Sequence, residues 1–207
     1  MIVIYFLLLV FFLSFVGFLI LPIGFLGLAL TSLVDAPMQL YYMIAHPEVR
    51  KNHALEHATI HVLEQELPVK LSGISYPNGF LVQGIGDPFI VAQAAEVAKQ
   101  RLLNGEHNLA VHPRCGTTSV VTSLVFAILF IVFSIIFGLF SWINLILSLI
   151  LASLLGSVLS PIVQKYITTD WHVQDIELLQ AEPIIRGWSS QGVFVHTKRS
   201  DVKWSIS

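Results

Sequence analysis

The stretch with the clearest chemical content is Asn52-His53-Ala54-Leu55-Glu56-His57-Ala58-Thr59-Ile60-His61. His53 and His57 stand four apart, so on a helix their rings project from one face, one turn from each other. Two imidazoles at that spacing can hold one Zn²⁺ at about 2.0–2.1 Å each. Glu56 directly precedes the second histidine, which gives His-x-x-Glu-His, the inverted zincin order. A carboxylate in that place can take the proton of a water activated by the metal. His61 extends the same face by one more turn and is an alternative ligand, with Glu64 near it. The competing account is an amphipathic helix whose histidines merely face water.

A second cluster, His112-Pro113-Arg114-Cys115-Gly116-Thr117, stands at the mouth of a long apolar stretch. His-x-x-Cys is a workable ligand spacing, and a catalytic zinc usually keeps three protein ligands plus one open position. Either His112 or Cys115 can therefore complete a site begun by His53 and His57. Pro113 and Gly116 bend the chain, as a loop needs if both side chains are to point one way. Arg114 is placed to stabilise an oxyanion or to bind an anionic headgroup. The alternative here is a basic anchor beside the bilayer with an inert buried cysteine. A closed four-ligand site that includes His61 would be structural, with no position for water and no need of Glu56. Fe²⁺ and Mn²⁺ stay open beside Zn²⁺.

Other candidates are poorer. His46, His107, His172 and His196 are scattered and read as surface residues. Gly84-Ile85-Gly86 is too short for a phosphate-binding loop, and no Gly-x-Ser-x-Gly nucleophile elbow occurs. Trp171, Trp188 and Trp204 suit the level of lipid headgroups.

The elements that must position these residues follow from composition. The chain has 207 residues, 55% of them hydrophobic and only 12% charged. A soluble domain carries about twice that charged fraction, so a water-soluble enzyme and a disordered chain are both excluded. Net charge is −2 with 11 Lys and Arg, which leaves no basic surface for nucleic acid. The single cysteine, Cys115, excludes an intrachain disulfide. The expected partner is the lipid bilayer, and the expected class is an α-helical integral membrane protein.

Two apolar blocks carry that expectation. Residues 117–164 are too long for one crossing of about 20 residues and suit a hairpin of two transmembrane helices. Its turn lies at Gly138–Asn144, with Trp142 at an interface. Ala152, Gly156 and Ser160 repeat at four-residue spacing, which lets helix backbones approach closely. Residues 1–43 form the other block. Pro22, Gly24 and Gly27 interrupt it, so it reads as one crossing plus an interfacial or re-entrant stretch, the alternative being two crossings. It lacks the basic n-region of a signal peptide. All 11 basic residues lie in 50–114 or after 164. The middle loop (44–116) and the tail (165–207) are therefore expected on the cytoplasmic side of a multi-pass cell-membrane protein.

The middle loop and the tail are expected to build a small α+β portion. Pro47 and Glu48 open a helix over 47–66 whose Leu55, Ile60, Val62 and Leu63 face a core. Residues 69–84 read as a β-hairpin around Tyr76-Pro77-Asn78-Gly79. Asp87-Pro88 caps a helix through Leu103, which Gly105 stops. The tail is expected to give a short helix near 174–182 and strands within 192–206 that pair with the hairpin.

Together the two motifs resemble the YqhQ-like bacterial membrane proteins, a family described as predicted metal-dependent enzymes with no established substrate, or a related uncharacterised membrane-protein family. The likeness rests on Glu56-His57-x-Thr59-Ile60 followed by His112-Pro113-Arg114-Cys115-Gly116-Thr117 and an apolar helix, and it covers roughly residues 50–135. It implies functional weight on His53, Glu56, His57, His112, Arg114 and Cys115. This chain departs from it in a longer insert between the motifs, and its N-terminal block and tail show no match. The expected function is that of a metal-dependent hydrolase at the membrane surface, acting on a peptide or lipid-linked substrate. The alternative is a non-catalytic metal-binding module or scaffold.

Overall fold

A computed structural model describes residues 2–139, 141–186 and 190–200. Three of its helices are long and apolar enough to cross a membrane. The chain divides into two compact units, one of residues 1–39 with 119–159, the other of 40–118 with 160–207.

In the first unit, α1 (Ile2–Ala45) is a single continuous helix that contains Pro22 and Pro37. The break expected at Pro22 is absent. A proline removes one helical hydrogen bond, but long apolar helices tolerate such a loss because local backbone adjustment and neighbouring groups can meet it. α4 (Gly116–Phe137) and α5 (Trp142–Val163) form the expected hairpin. Ala29, Phe126, Ala127, Phe130, Leu145 and Ala152 pack as the core of this unit. Gly156 lies against Thr122, so close that a Cβ would overlap its hydroxyl. Within the hairpin, buried Asn144 donates to Ser134 at 2.8 Å and accepts from Ser148 at 3.2 Å.

The second unit carries the candidate chemistry. Its α2 (Pro47–Glu66) has proline in the first turn, where the missing N–H is not needed. The hairpin forms as expected, β1 (Ser72–Tyr76) pairing antiparallel with β2 (Gly79–Gln83). α3 (Pro88–Leu103) begins at Asp87, whose carboxylate accepts from the N–H groups of Phe89 and Ile90. A short 3₁₀ turn (His107–Ala110) follows. At its C-terminal end α5 passes into a π turn, Gln164–Thr168.

The tail corrects one expectation. Residues 176–186 form strand β3 (Ile176–Arg186), not a helix near 174–182. Glu, Leu, Gln and Ala in that stretch favour a helix locally. Pairing with β4 (Ser190–Arg199) overrides that preference. The sheet order is β1-β2-β4-β3, and β2 pairs with β4 as the sequence implied. β3 is an edge strand, which is why it accommodates Pro183. The further tail stretch at 202–206, and with it Trp188 and Trp204, lies outside the described residues. Trp171 packs half-buried against the core of this unit and stacks on His107 at 5.1 Å.

Phe80, Val82, Leu55, Leu63, Val91 and Val193 fill the core between the sheet and the helices α2 and α3. Lys51 ties α2 to the tail through Asp175 at 2.5 Å, and Arg199 reaches the same carboxylate at 3.0 Å. Partial burial raises the Asp175 pKa, but the Lys51 ammonium outweighs it and holds the carboxyl below its ordinary value. A depressed folded-state pKa contributes stability that is present above the unfolded value, about 3.9, and is lost as pH falls through the folded one. Asp175→Asn should therefore cost about 1 kcal/mol at pH 7, or about 2–4 °C in Tm. In thermal melts the gap to the parent should shrink below about pH 4, and a gap that stays constant into that range would contradict the assignment.

Candidate functional site

The face of α2 that carries the histidines does not point to water. Every residue from Asn52 to Ile60 is buried, with His53 5% and His57 1% exposed. The account of a wet histidine face is thereby excluded. Polar groups taken out of water must find partners, and these partners define the site.

The His53 Nδ1–H donates to the Thr168 carbonyl at 2.9 Å, in the π turn. The His57 Nδ1–H donates to the Ala110 carbonyl at 2.7 Å, at the end of the 3₁₀ turn. A carbonyl only accepts, so each ring carries a proton on Nδ1, and Nε2 is the nitrogen left to act as a ligand. Burial holds the His57 pKa well below the ordinary imidazole value, and neighbouring His53 lowers it further, so the ring is neutral. His53 Nε2 lies 3.1 Å from the sulfur of Cys115. Among the described residues, His57 Nε2 is buried and has no hydrogen-bond partner.

Cys115 sits one residue before α4. Its sulfur accepts from the Thr117 N–H at 3.3 Å, and burial pushes its pKa up. Ligand atoms of His53, His57 and Cys115 all lie within 4.8 Å of one another. Two nitrogens and a sulfur converging this closely form a set that could hold a metal ion, and the carbonyls on both Nδ1 atoms are the kind of outer partner that fixes a ligand's tautomer. The orphaned lone pair on His57 is the observation that most needs such an ion.

Glu56 is 3% exposed and lies beside these groups. Its carboxylate accepts from the Ser75 hydroxyl at 2.5 Å. It rests against Gly73 of β1, where an added Cβ would occupy its space. Burial pushes its pKa up to about 7, against the opposing effects of His53 and Ser75. A carboxyl with that affinity can both take and return a proton near neutral pH.

The remaining candidates gather nearby but apart. His112 accepts the Arg114 N–H at Nδ1 (3.2 Å) and lies 3.5 Å from Glu64 through Nε2. Its ring centre is 5.8 Å from that of His57 and 4.9 Å from that of His61. His61 donates from Nε2 to the Val111 carbonyl at 2.9 Å. Arg114 pairs with Glu64, which also accepts the Leu71 N–H. Of the two ligands that the sequence left open for the third place, Cys115 joins the converging set and His112 does not. His61 stands outside it as well, and the Arg114 guanidinium is engaged by Glu64.

Several contributors carried no signal in the sequence. Ser75 and Gly73 look like ordinary hairpin residues, and the Thr168 and Ala110 carbonyls have no side-chain signature. Gln164, fully buried, accepts the His112 N–H at 2.8 Å and donates to Ser160 at 3.0 Å, fixing the loop that leads to Cys115. Pro161, which has no N–H to complete the regular α ladder, is the one hint that the helix changes geometry there.

No solved structure matches the chain. Over 84 residues it is 42% identical to an uncharacterized protein of Picosynechococcus sp., covering 36% of this chain and 41% of that protein. The chain thus spans less than half the length of that relative. A family model described as "Domain of unknown function (DUF6391)" matches residues 48–181. That range holds His53, Glu56, His57, His112 and Cys115, along with the turns that orient them. By this match over most of its length, the chain belongs to the DUF6391 family.

Proposed function

We propose that this protein is a membrane-anchored, metal-dependent hydrolase whose ion, in first place Zn²⁺, is held by His53, His57 and Cys115. The reading rests above all on the buried, partnerless Nε2 of His57. A thiol–imidazole pair of Cys115 and His53 would use their 3.1 Å approach but would leave that lone pair unmet. A bound cation satisfies all three groups at once.

His53, His57 and Cys115 would hold the ion with three protein ligands, the number usual for a catalytic rather than a closed structural zinc site. A divalent ion there supplies Lewis acidity toward the bond to be broken. Glu56 is the general base: it takes the proton of the attacking water and returns it to the leaving group. Ser75 holds the carboxylate in place, and the Gly73 backbone leaves room for it. The Thr168 and Ala110 carbonyls keep both imidazoles in the ligating tautomer. Burial of the site excludes bulk water from the charges that develop.

Three apolar helices support anchoring in a bilayer. The basic residues, confined to 50–114 and beyond 164, favour a cytoplasmic site in the cell membrane, with the N-terminus on the opposite face. The substrate is a peptide or a lipid-linked molecule reached at the membrane surface.

Metal analysis of the detergent-purified protein should find about one zinc per chain. His57→Ala should lower that content at least tenfold, in line with loss of one of three ligands. With cobalt in place of zinc, a thiolate charge-transfer band should appear and should vanish in Cys115→Ser. A parent protein that binds neither metal would end the proposal.

Glu56→Gln separates catalysis from mere binding. It should retain the zinc yet lose about 100- to 10,000-fold in turnover of a panel of labelled peptides and phospholipids. A zinc-loaded parent with no turnover on that panel, or a variant as active as the parent, would instead support a closed structural site.

A further inference from the structure

We propose that Arg50 receives a phosphoryl oxyanion of the ligand at the edge of the His53–His57–Cys115 site. This rests on the function proposed above and narrows its substrate class to molecules that carry a phosphoryl group.

Arg50 precedes His53 by one helical turn on α2, about 4.5 Å along the axis. Its side chain follows the same course. Nη2 of Arg50 reaches the Thr169 carbonyl at 3.4 Å, and His53 donates to the adjacent Thr168 carbonyl. The guanidinium is thus held beside the first ligand by the same turn of chain.

Its hydrogen bonding is incomplete. Arg50 Nε is buried and has no acceptor, and the contact to Thr169 is long. Among the described residues, Lys51, Arg101, Arg114 and Arg199 each have a carboxylate partner. Arg50 has none in ion-pair range. It also stands in the first turn of α2, where the helix dipole disfavours a cation. Two unfavourable features at one residue are relieved together by an anion on the guanidinium fork, whose geometry suits two oxygens of one phosphoryl group.

The location favours phosphoryl over other anions. Thr168 is the last residue of the apolar stretch Trp142–Thr168, and Thr169, which Arg50 contacts, follows it directly. The end of a membrane-spanning stretch lies at the level of lipid headgroups. A phosphoryl group of a lipid-linked molecule and a free phosphate offer the same oxygens, and experiment can tell them apart.

The test uses the full-length protein in detergent, zinc-loaded and zinc-free. Calorimetric titration with inorganic phosphate reads the free anion; native mass spectrometry with dioleoyl phosphatidic acid reads the lipid-borne one. At least one probe should bind, and Arg50→Gln should weaken it tenfold or more while leaving the zinc content unchanged. Arg50→Lys, which keeps the charge but loses the fork, should fall between the two and serves alone if the glutamine variant does not fold. Retention of phosphatidic acid without phosphate binding would assign a lipid source, and the reverse a soluble one. Failure of both probes, or binding unaffected by either variant, would overturn the proposal. A protein that binds no zinc but still shows Arg50-dependent binding would remove the metal reading and leave this one standing.

Discussion

Two backbone carbonyls govern the chemistry of this chain. Thr168 and Ala110 accept the Nδ1 protons of His53 and His57, and everything else about the site follows from where those protons are. With Nδ1 occupied, any lone pair that a ring presents is at Nε2 and nowhere else. His53 Nε2 then lies 3.1 Å from the sulfur of Cys115, and ligand atoms of His53, His57 and Cys115 come within 4.8 Å of one another. A shift of either carbonyl would free a ring to turn or change tautomer, and the convergence of ligands would be lost without any ligand being replaced.

The same arrangement explains why α2 buries polar groups that an ordinary core helix would avoid. Asn52 donates to the carbonyls of Tyr76 and Pro77 and accepts from Thr197, so it binds the helix to the hairpin turn and to β4. Glu56 finds Ser75, and Thr59 turns back onto the Leu55 carbonyl. Each of these groups replaces lost hydration with a partner. His57 Nε2 breaks the pattern. Among the described residues of α2, His57 Nε2 and Arg50 Nε are the buried side-chain atoms left without a partner, and an unmet acceptor in so closely satisfied a helix points to function better than it would in a loosely packed surface helix.

Legibility in the sequence followed the range of the interactions. α2, the β1–β2 hairpin and α3 were readable because Pro47, Pro77-Asn78-Gly79 and Asp87-Pro88 act within a few residues. The histidine and cysteine motifs stand out in sequence because metal-ligand chemistry restricts residue type, and the structure brings His53, His57 and Cys115 of those motifs together. The segment at 176–186 was not, since its local preference for helix is overcome by pairing with β4, an effect no window of sequence contains. Nor could spacing decide between His112 and Cys115. They stand three residues apart, and the choice depends on Arg114 closing back onto His112 Nδ1 while Glu64 lies beside Nε2. The continuity of α1 through Pro22 is not legible from residue type, because proline breaks a helix less readily in a long apolar stretch than in water.

The end of α5 connects these parts. Its π turn offers the Thr168 carbonyl to His53 and the Thr169 carbonyl to Arg50, while Gln164 at its start holds the His112 backbone. Thr117 adds a hydroxyl contact to Thr168 at 3.3 Å. A regular α turn would direct successive carbonyls along the helix axis toward its own N–H groups. Thr168 closes the helix and Thr169 caps it, so their carbonyls, like the last few of any helix, have no N–H of their own helix to accept from and are free for side chains of another element. The candidate ligands on α2 and in the loop before α4 are therefore positioned by a third segment that contributes none of its own. Its influence is exerted through backbone oxygens, so it depends on the local helix geometry more than on the identity of the residues that provide them.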